Sequence, residues 1–295
     1  MKIKSDHPTT LAGFLKEVFP EASGSTVKKW ILHGLVSING KIVKRPDIAL
    51  KPGDEVEYHK KGTPLDTPDL PFPVLYMDDD IIAVDKPAGL LTYGERGTSG
   101  TSVYKILTDY IKDQTGPRSK IFVVHRLDRE VSGVLLFARS EEIQKIIKEN
   151  WKNNVKKYYA LVEGCPQEKS GTLKNWLREN KLLDVETVKE SENAKFAITH
   201  YRVIKKLDTN ALLEVTLETG RKHQIRVQLS EIGCPVVGDR RYGADASVIR
   251  RIRLHSFSLK IKHPSTGHEL MLESPMPDGF LTLGTRDEQY KKIKS

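Results

Sequence analysis

The chain has 295 residues, 38% of them hydrophobic and 29% charged, a balance that excludes a disordered tract and allows one substantial core plus a small accessory domain. Two cysteines, Cys165 and Cys234, are too few for a disulfide framework or a zinc site. A net charge of +9 is compatible with a polyanionic partner but, by itself, does not single one out, since many basic proteins bind none.

Met1–Asp6 lacks the apolar core of a signal peptide, and no apolar run approaches the ~20 residues that span a bilayer, so the expectation is a cytoplasmic protein with no membrane partner. Residues 9–32 read as helices: Leu11, Phe14, Leu15 and Val18 share one face, and Val27, Trp30 and Ile31 continue the spacing after the cap candidates Ser23 and Ser25. Two short apolar runs then flank Asn39-Gly40, a strong hairpin signal, and a turn at Lys51-Pro52-Gly53-Asp54 precedes Glu55–Tyr58. Residues 61–73 hold four prolines and read as a semi-rigid linker. From Val74 onward, strand-like runs (Ile81–Val84, Val134–Ala138, Tyr159–Val162, Leu212–Leu217) mix with helical ones (Ser102–Tyr110, Glu141–Asn150). Regular strand–helix alternation is missing, which disfavours a doubly wound sheet and predicts an α+β fold. The expected division is a domain at 1–60, a linker at 61–73, a larger domain at 74–285 and a charged tail at 286–295.

One stretch concentrates the charge. Between Gly220 and Arg253, eight basic residues face three acidic ones, interleaved with turn glycines. Phosphate contacts are the readiest use for them. The sharpest chemical signal lies upstream, at Val124-His125-Arg126-Leu127-Asp128-Arg129, where one carboxylate sits between two arginines in a loop that feeds an apolar strand. Arginine neighbours favour an ionised aspartate, and such loops commonly carry catalytic groups. By residue logic alone, a structural salt-bridge loop is at least as good a reading.

These blocks carry resemblances. Lys28-Lys29-Trp30-Ile31, Gly34–Lys41 and Lys51–Val56 are similar to the RNA-binding module named after small-subunit ribosomal protein S-four; the likeness implies that Lys28, Lys29, Lys41 and Lys44 contact RNA phosphates. His125–Asp128 followed by Ser132-Gly133 resembles the signature of the RluA-type pseudouridine synthases, which implies that Asp128 is catalytic. Lys86-Pro87-Ala88-Gly89, Lys156–Gly164, Thr219–Arg226, Gly238-Asp239 with Tyr242-Gly243, and Leu254-His255-Ser256 match further blocks of that family in order. The resemblance implies that Tyr158 faces the reacting base, that Arg226 pairs with Asp128, that Leu254 packs beside the base, and that Arg126, Arg129, Arg221, His223 and Gln224 bind substrate. Val131 and Gln228 depart from the pattern, which has Thr and commonly His there.

The implied fold is the pseudouridine synthase fold, α+β, with a mixed and largely antiparallel central sheet, beside a small α/β RNA-binding domain. The implied activity is isomerisation of uridine in structured RNA, ribosomal RNA first and transfer RNA second, by a monomer using neither cofactor nor metal. The aspartate step has three courses (attack at C1′, addition at C6, removal of a 2′ proton), and the residues do not choose among them. One rival is a non-catalytic RNA-binding or ribosome-assembly protein. A hydrolytic nucleosidase or nuclease would need a second catalytic carboxylate or metal ligands, and none stands out.

Overall fold

The computed structural model describes residues 2–32, 35–43, 45–58, 70–94, 101–245 and 251–282. Two compact units divide the chain, Met1–Asp69 and Leu70–Ser295. The expected tail at 286–295, linker residues 61–69, Lys44 and the side chain of Lys29 lie outside the described residues.

In the first unit, strands β1 (Lys2–Lys4) and β2 (Thr9–Thr10) precede helices α1 (Leu11–Val18) and α2 (Gly24–Leu32). Both helices start on hydroxyl caps that satisfy otherwise orphaned amides: Thr10 accepts from Gly13 N, and Ser23 accepts from Thr26 N at 3.1 Å. Strands β3 (Val36–Ile38), β4 (Lys41–Ile42), β5 (Ala49–Leu50) and β6 (Glu55–Tyr58) follow. The β3–β4 hairpin turns on Asn39 and Gly40 with φ of 51° and 79°, left-handed values that a two-residue turn of this hand requires. The Asn39 side chain also clamps the neighbouring turn, donating to Asp54 Oδ1 at 2.8 Å and accepting from Glu55 N at 2.9 Å. Sheet order is β1-β6-β3-β4, with β2 paired to β5 apart from it. Leu11, Phe14, Leu15, Val27 and Ile31 of the helices bury against Val36 and Val56.

The second unit carries one eleven-stranded sheet. Its strands are β7 (Val74–Met77), β8 (Ile81–Lys86), β9 (Phe122–Val123), β10 (Ser132–Ala138), β11 (Val155–Glu163), β12 (Ser170–Glu179), β13 (Val185–Val188), β14 (Lys195–Lys206), β15 (Asn210–Leu217), β16 (Leu254–Lys262) and β17 (Glu269–Glu273). The order is β13-β12-β14-β15-β11-β16-β10-β8-β7, with β17 on β16 and β9 on β10. Only the β10–β16 pair is parallel among the described strands, so the sheet is mixed and largely antiparallel, as expected. That pair approaches closely at Gly133 (φ 112°), where a Cβ would collide with the Ser256 carbonyl. Only glycine fits there.

Strand β10 is buried along its whole length and explains how the core is split. Its alternate side chains point to opposite faces. Leu135 and Phe137 join one cluster with α3 (Val103–Thr115) and α5 (Gln224–Glu231), while Val134, Leu136 and Ala138 join another with α4 (Glu141–Glu149). Phe72, expected within the linker, is buried in the first of these clusters and belongs to the second unit. Among the described residues, no helix is long and apolar enough to cross a membrane.

Candidate active site

Several parts of the second unit converge on one cleft of about 100 Å³: the loop between β9 and β10, the strand β11, the end of β15, the start of β16, and the start of α5 with the turn before it. Asp128, Tyr158, His223, Arg226 and Leu254 all line it.

The loop is held from below. Lys86, at the end of β8, is fully buried, and its ammonium donates to the carbonyls of Leu90 (2.7 Å), Pro87 (2.9 Å) and Arg129 (3.1 Å). Burial pulls the Lys86 pKa down to about 7, with Glu130 and Asp128 resisting. Thr92 grips the same loop, donating to Leu127 O at 2.8 Å and accepting from Leu127 N at 3.1 Å. Val131 N donates to Asp128 O at 3.1 Å, closing a turn around the carboxylate. The Val131 side chain is buried in the core, so valine suits this position without the hydroxyl that the family pattern carries.

Arg226, on the first turn of α5, sits between two carboxylates. Its Nε and Nη2 donate to Asp239 Oδ2 (2.6 Å) and Oδ1 (2.8 Å), and its Nη1 donates to Asp128 Oδ2 at 3.0 Å. The two parallel bonds thus go to Asp239, and Asp128 receives a single one. Asp239 is 1% exposed at its side chain and Asp128 29%. One carboxylate anchors the guanidinium and the other faces the cleft. Burial works against the Arg226 charge, but Asp239 and then Asp128 outweigh it and hold its pKa above the ordinary value. The Arg226 guanidinium also lies over the Tyr242 ring at 5.0 Å.

His223 precedes α5 in a left-handed backbone conformation, φ 54° and ψ 15°. Its Nδ1 bonds the Tyr242 hydroxyl at 2.7 Å, and its Nε2 lies 3.7 Å from Asp128 Oδ2. Burial drops the His223 pKa to about 4, against the pull of Asp128, so the ring is neutral near pH 7. Burial, aided by the Asp128 charge and opposed by a bond to Ser256, pushes the Tyr158 phenol up to about 12, which keeps it protonated.

The remaining expected residues separate into two groups. Arg126, Arg129 and Arg221 reach the surface; Arg126 stands over the Tyr93 ring at 5.9 Å, and Arg129 and Arg221 donate to Gly89 O and Phe196 O. Gln224, expected to bind substrate, has both ends of its amide engaged by the protein. Its Oε1 accepts from Thr219 Oγ1 and Arg221 N, and its Nε2 donates to Ile198 O and Thr199 Oγ1. It holds the turn before α5, and its amide is committed there rather than to a ligand. Gln228 is likewise buried, donating to Asn175 Oδ1 at 2.9 Å. The expected use of the basic stretch for phosphate contacts also needs correction, because Arg226, Arg251 and Arg253 are buried and only Arg221, Lys222, Arg240 and Arg241 reach the surface; Arg250 lies outside the described residues. A second depression of about 500 Å³ shares Gly220 and Arg221 with the cleft and adds Arg178, Lys195 and Lys222. In the first unit, Lys28 on α2 and Lys41 on β4 are exposed.

Sequence reasoning misses Lys86, Thr92, Asp239 and Tyr242 as parts of the site. The signal for the last two is the run Gly238-Asp239 with Tyr242-Gly243, which matches a family block without giving its residues a task.

Comparison with known proteins bears on this arrangement. The family described as RNA pseudouridylate synthase matches residues 80–231, and the S4 domain matches residues 11–56. A protein of Aquifex aeolicus described as an uncharacterized RNA pseudouridine synthase is 32% identical, over 94% of this chain and 93% of its own length. Ribosomal large subunit pseudouridine synthase D of Haemophilus influenzae is 32% identical over 91% of this chain and 88% of its own. The solved structure of human RNA pseudouridylate synthase domain containing 4 aligns with a TM-score of 0.60 at 25% identity, over 75% of this chain and 92% of that one.

Proposed function

This chain belongs to the RNA pseudouridylate synthase family and is a pseudouridine synthase, and from that premise we propose that it isomerises specific uridines of ribosomal RNA with Asp128 as its catalytic carboxylate. The observation that carries the role of Asp128 is its pairing: a buried arginine, fixed from behind by Asp239, holds out one hydrogen bond to a carboxylate that is still open to the cleft. Membership of the family sets aside a protein that only binds RNA.

The reaction breaks the N1–C1′ bond, turns the uracil and joins C5 to C1′. The proton lost from C5 is balanced by one gained at N1, and no oxidation occurs, so the atoms balance without a cofactor or metal. Bond cleavage develops positive charge on the sugar, and a preorganised carboxylate beside C1′ stabilises that charge. In this reading Arg226 keeps Asp128 ionised and aimed. Tyr158, protonated and next to Leu254 in the cleft wall, stacks against the uracil. Atoms of a stacked base are out of reach of a carboxylate recessed in a cleft, so the nucleotide leaves its stack to enter it. Arg126, Arg129 and Arg221 meet the displaced backbone, and Lys28, Lys29 and Lys41 of the first unit add phosphate contacts of their own. The expectation of a cytoplasmic monomer belongs to the same reading.

Ribosomal RNA is favoured over transfer RNA by the relative from Haemophilus influenzae, whose name specifies the large ribosomal subunit, and by a like-named protein of Pseudomonas aeruginosa at 30% identity over 90% of this chain. The test is to map pseudouridine in total RNA from cells with and without the gene. We expect one or more large-subunit positions to lose the modification and to regain it when the gene is restored. Loss confined to transfer RNA, or no loss at all, would contradict the assignment.

A further inference from the structure

The His223–Tyr242 pair has no role in the reaction as described so far, yet its geometry is demanding. A non-glycine residue with positive φ is uncommon, and it persists where surrounding structure imposes it. Here that conformation turns the imidazole into the cleft, between the Tyr242 hydroxyl and the Asp128 carboxylate.

The hydrogen bonds around Tyr242 favour one place for the imidazole proton. The hydroxyl oxygen already accepts from Val185 N at 3.1 Å. Among the described residues, the partner placed to receive its own proton is His223 Nδ1, at 2.7 Å. When Tyr242 donates to Nδ1, that nitrogen carries no hydrogen, and a neutral ring must carry its proton on Nε2. Nε2 is the nitrogen that faces Asp128 Oδ2, across 3.7 Å. This separation is longer than a hydrogen bond, as catalytic contacts commonly are before substrate tightens them.

We propose that His223, with its proton fixed on Nε2 by Tyr242, is a positioning residue that donates to Asp128 when RNA fills the cleft, and so aims the carboxylate alongside Arg226. Two donors would then hold Asp128. Arg226 supplies the charge; His223 supplies direction without adding a second cation beside a carboxylate that must act on the sugar or base. The ring stays neutral because burial outweighs Asp128, with Arg226, Arg241 and Lys222 pushing the same way as burial. The inference rests on the role of Asp128 proposed above.

Three measurements on the full chain test it, with Asp128→Asn run beside them on the same RNA. Nitrogen-15 spectra of the His223 ring in the free protein should show a bare Nδ1 and a protonated Nε2 between pH 6 and 8, and Tyr242→Phe should abolish that preference. Single-turnover rates at saturating RNA should fall about tenfold or more for His223→Ala and His223→Asn, the scale of one charge-assisted hydrogen bond, with RNA affinity unchanged. His223→Gln should recover most of the rate, since its terminal amide nitrogen reaches the place of Nε2, whereas that of Asn mimics Nδ1. A merely structural histidine would not sort Gln from Asn in this way. A proton on Nδ1, a charged ring at neutral pH, or an unchanged rate in His223→Ala while Asp128→Asn is inactive would overturn the inference alone. Activity in Asp128→Asn would instead bring down the reading on which it rests.

Discussion

The two units of this chain treat charge in opposite ways. In the first, charged side chains stay at the surface: Lys28 and Lys41 are exposed, and the ion pairs Lys2–Glu55 (3.2 Å) and Arg45–Asp47 (2.7 Å) lie in solvent. In the second, Lys86, Arg226, Asp239 and Arg253 are buried. Exposed charges attract phosphate over a Debye length and are screened by salt, whereas buried ones fix geometry and resist screening. The proposed reading gives these two kinds of charge different tasks, with exposed cations gripping the RNA and buried ones shaping the site that acts on one nucleotide of it. A net charge of +9 describes the sum and conceals the division.

The contrast is broken most severely at Arg226. Arg226→Ala would leave Asp239 buried without its partner, and losing one member of such a pair costs about 3–5 kcal/mol. We expect a lower melting temperature together with a large loss of turnover. Arg226→Lys should cost less in both, because an ammonium keeps the charge but cannot reproduce the two-pronged bond to Asp239. Alanine at exposed Lys28 should leave stability within about 0.5 kcal/mol of the parent. Equal melting shifts at Arg226 and Lys28 would erase the distinction between the units.

Acid should separate the units next. His125, His223 and His255 have folded pKa values lowered by burial to about 3, 4 and 4. With the folded values below the unfolded one of about 6.5, the unfolded chain binds more protons in this window, and stability falls as pH drops from 6.5 toward 4. Each imidazole then removes on the order of 1 kcal/mol per pH unit. His263, raised by its bond to Asp78, and exposed His7, raised by Asp6, have the opposite sign; their contributions are fully present below the unfolded value and vanish as pH rises through the folded one. Denaturant unfolding from pH 7 to 4.5 should therefore weaken the second unit first. Earlier unfolding of the first unit would contradict the assignment of neutral buried histidines.

A smaller effect is expected from removing residues 1–60. RNA affinity should drop and its dependence on salt should flatten, by roughly 0.7–0.9 in log–log slope for each phosphate that the shortened chain no longer neutralises. The second unit, which has its own core, should keep its fold and its rate at saturating RNA. Unchanged affinity would mean that the first unit is not an RNA grip. Smallest of all, Lys28→Ala or Lys41→Ala alone should reduce that slope by about the share of one phosphate and leave turnover intact.

What can be read without the structure follows from the range of the forces involved. The hairpin at Asn39-Gly40, the cap at Ser23 and the buried strand Val134–Ala138 are local signals, and each appears where expected. Strands β12 and β14 are not anticipated. Ser170–Glu179 and Lys195–Lys206 carry many polar residues and no clean alternation, and their pairing with one another across eight registers, with β13 and β15 on their outer edges, is what makes them strands. Strand β1 is three residues long and exists through its pairing with β6. The site shows the same divide. Motifs alone bring out Asp128, Tyr158 and Arg226. They do not bring out the bidentate partner of Arg226, because spacing along the chain cannot tell which of two carboxylates lies behind a guanidinium and which before it. Gln224 reads as a ligand for the same reason, since two of its four protein partners come from a segment distant in sequence.

The central claim, that the open carboxylate performs the chemistry while exposed cations elsewhere do the holding, is tested most directly at Asp128. Asp128→Asn retains the shape of the side chain and removes its charge and nucleophilic oxygen. Pseudouridine formation on the mapped RNA, followed in a single turnover at saturating protein, should vanish in this variant, while the RNA dissociation constant and its salt slope stay at the parent's values. Appreciable turnover by Asp128→Asn, or a loss of activity matched by an equal loss of RNA binding, would contradict it.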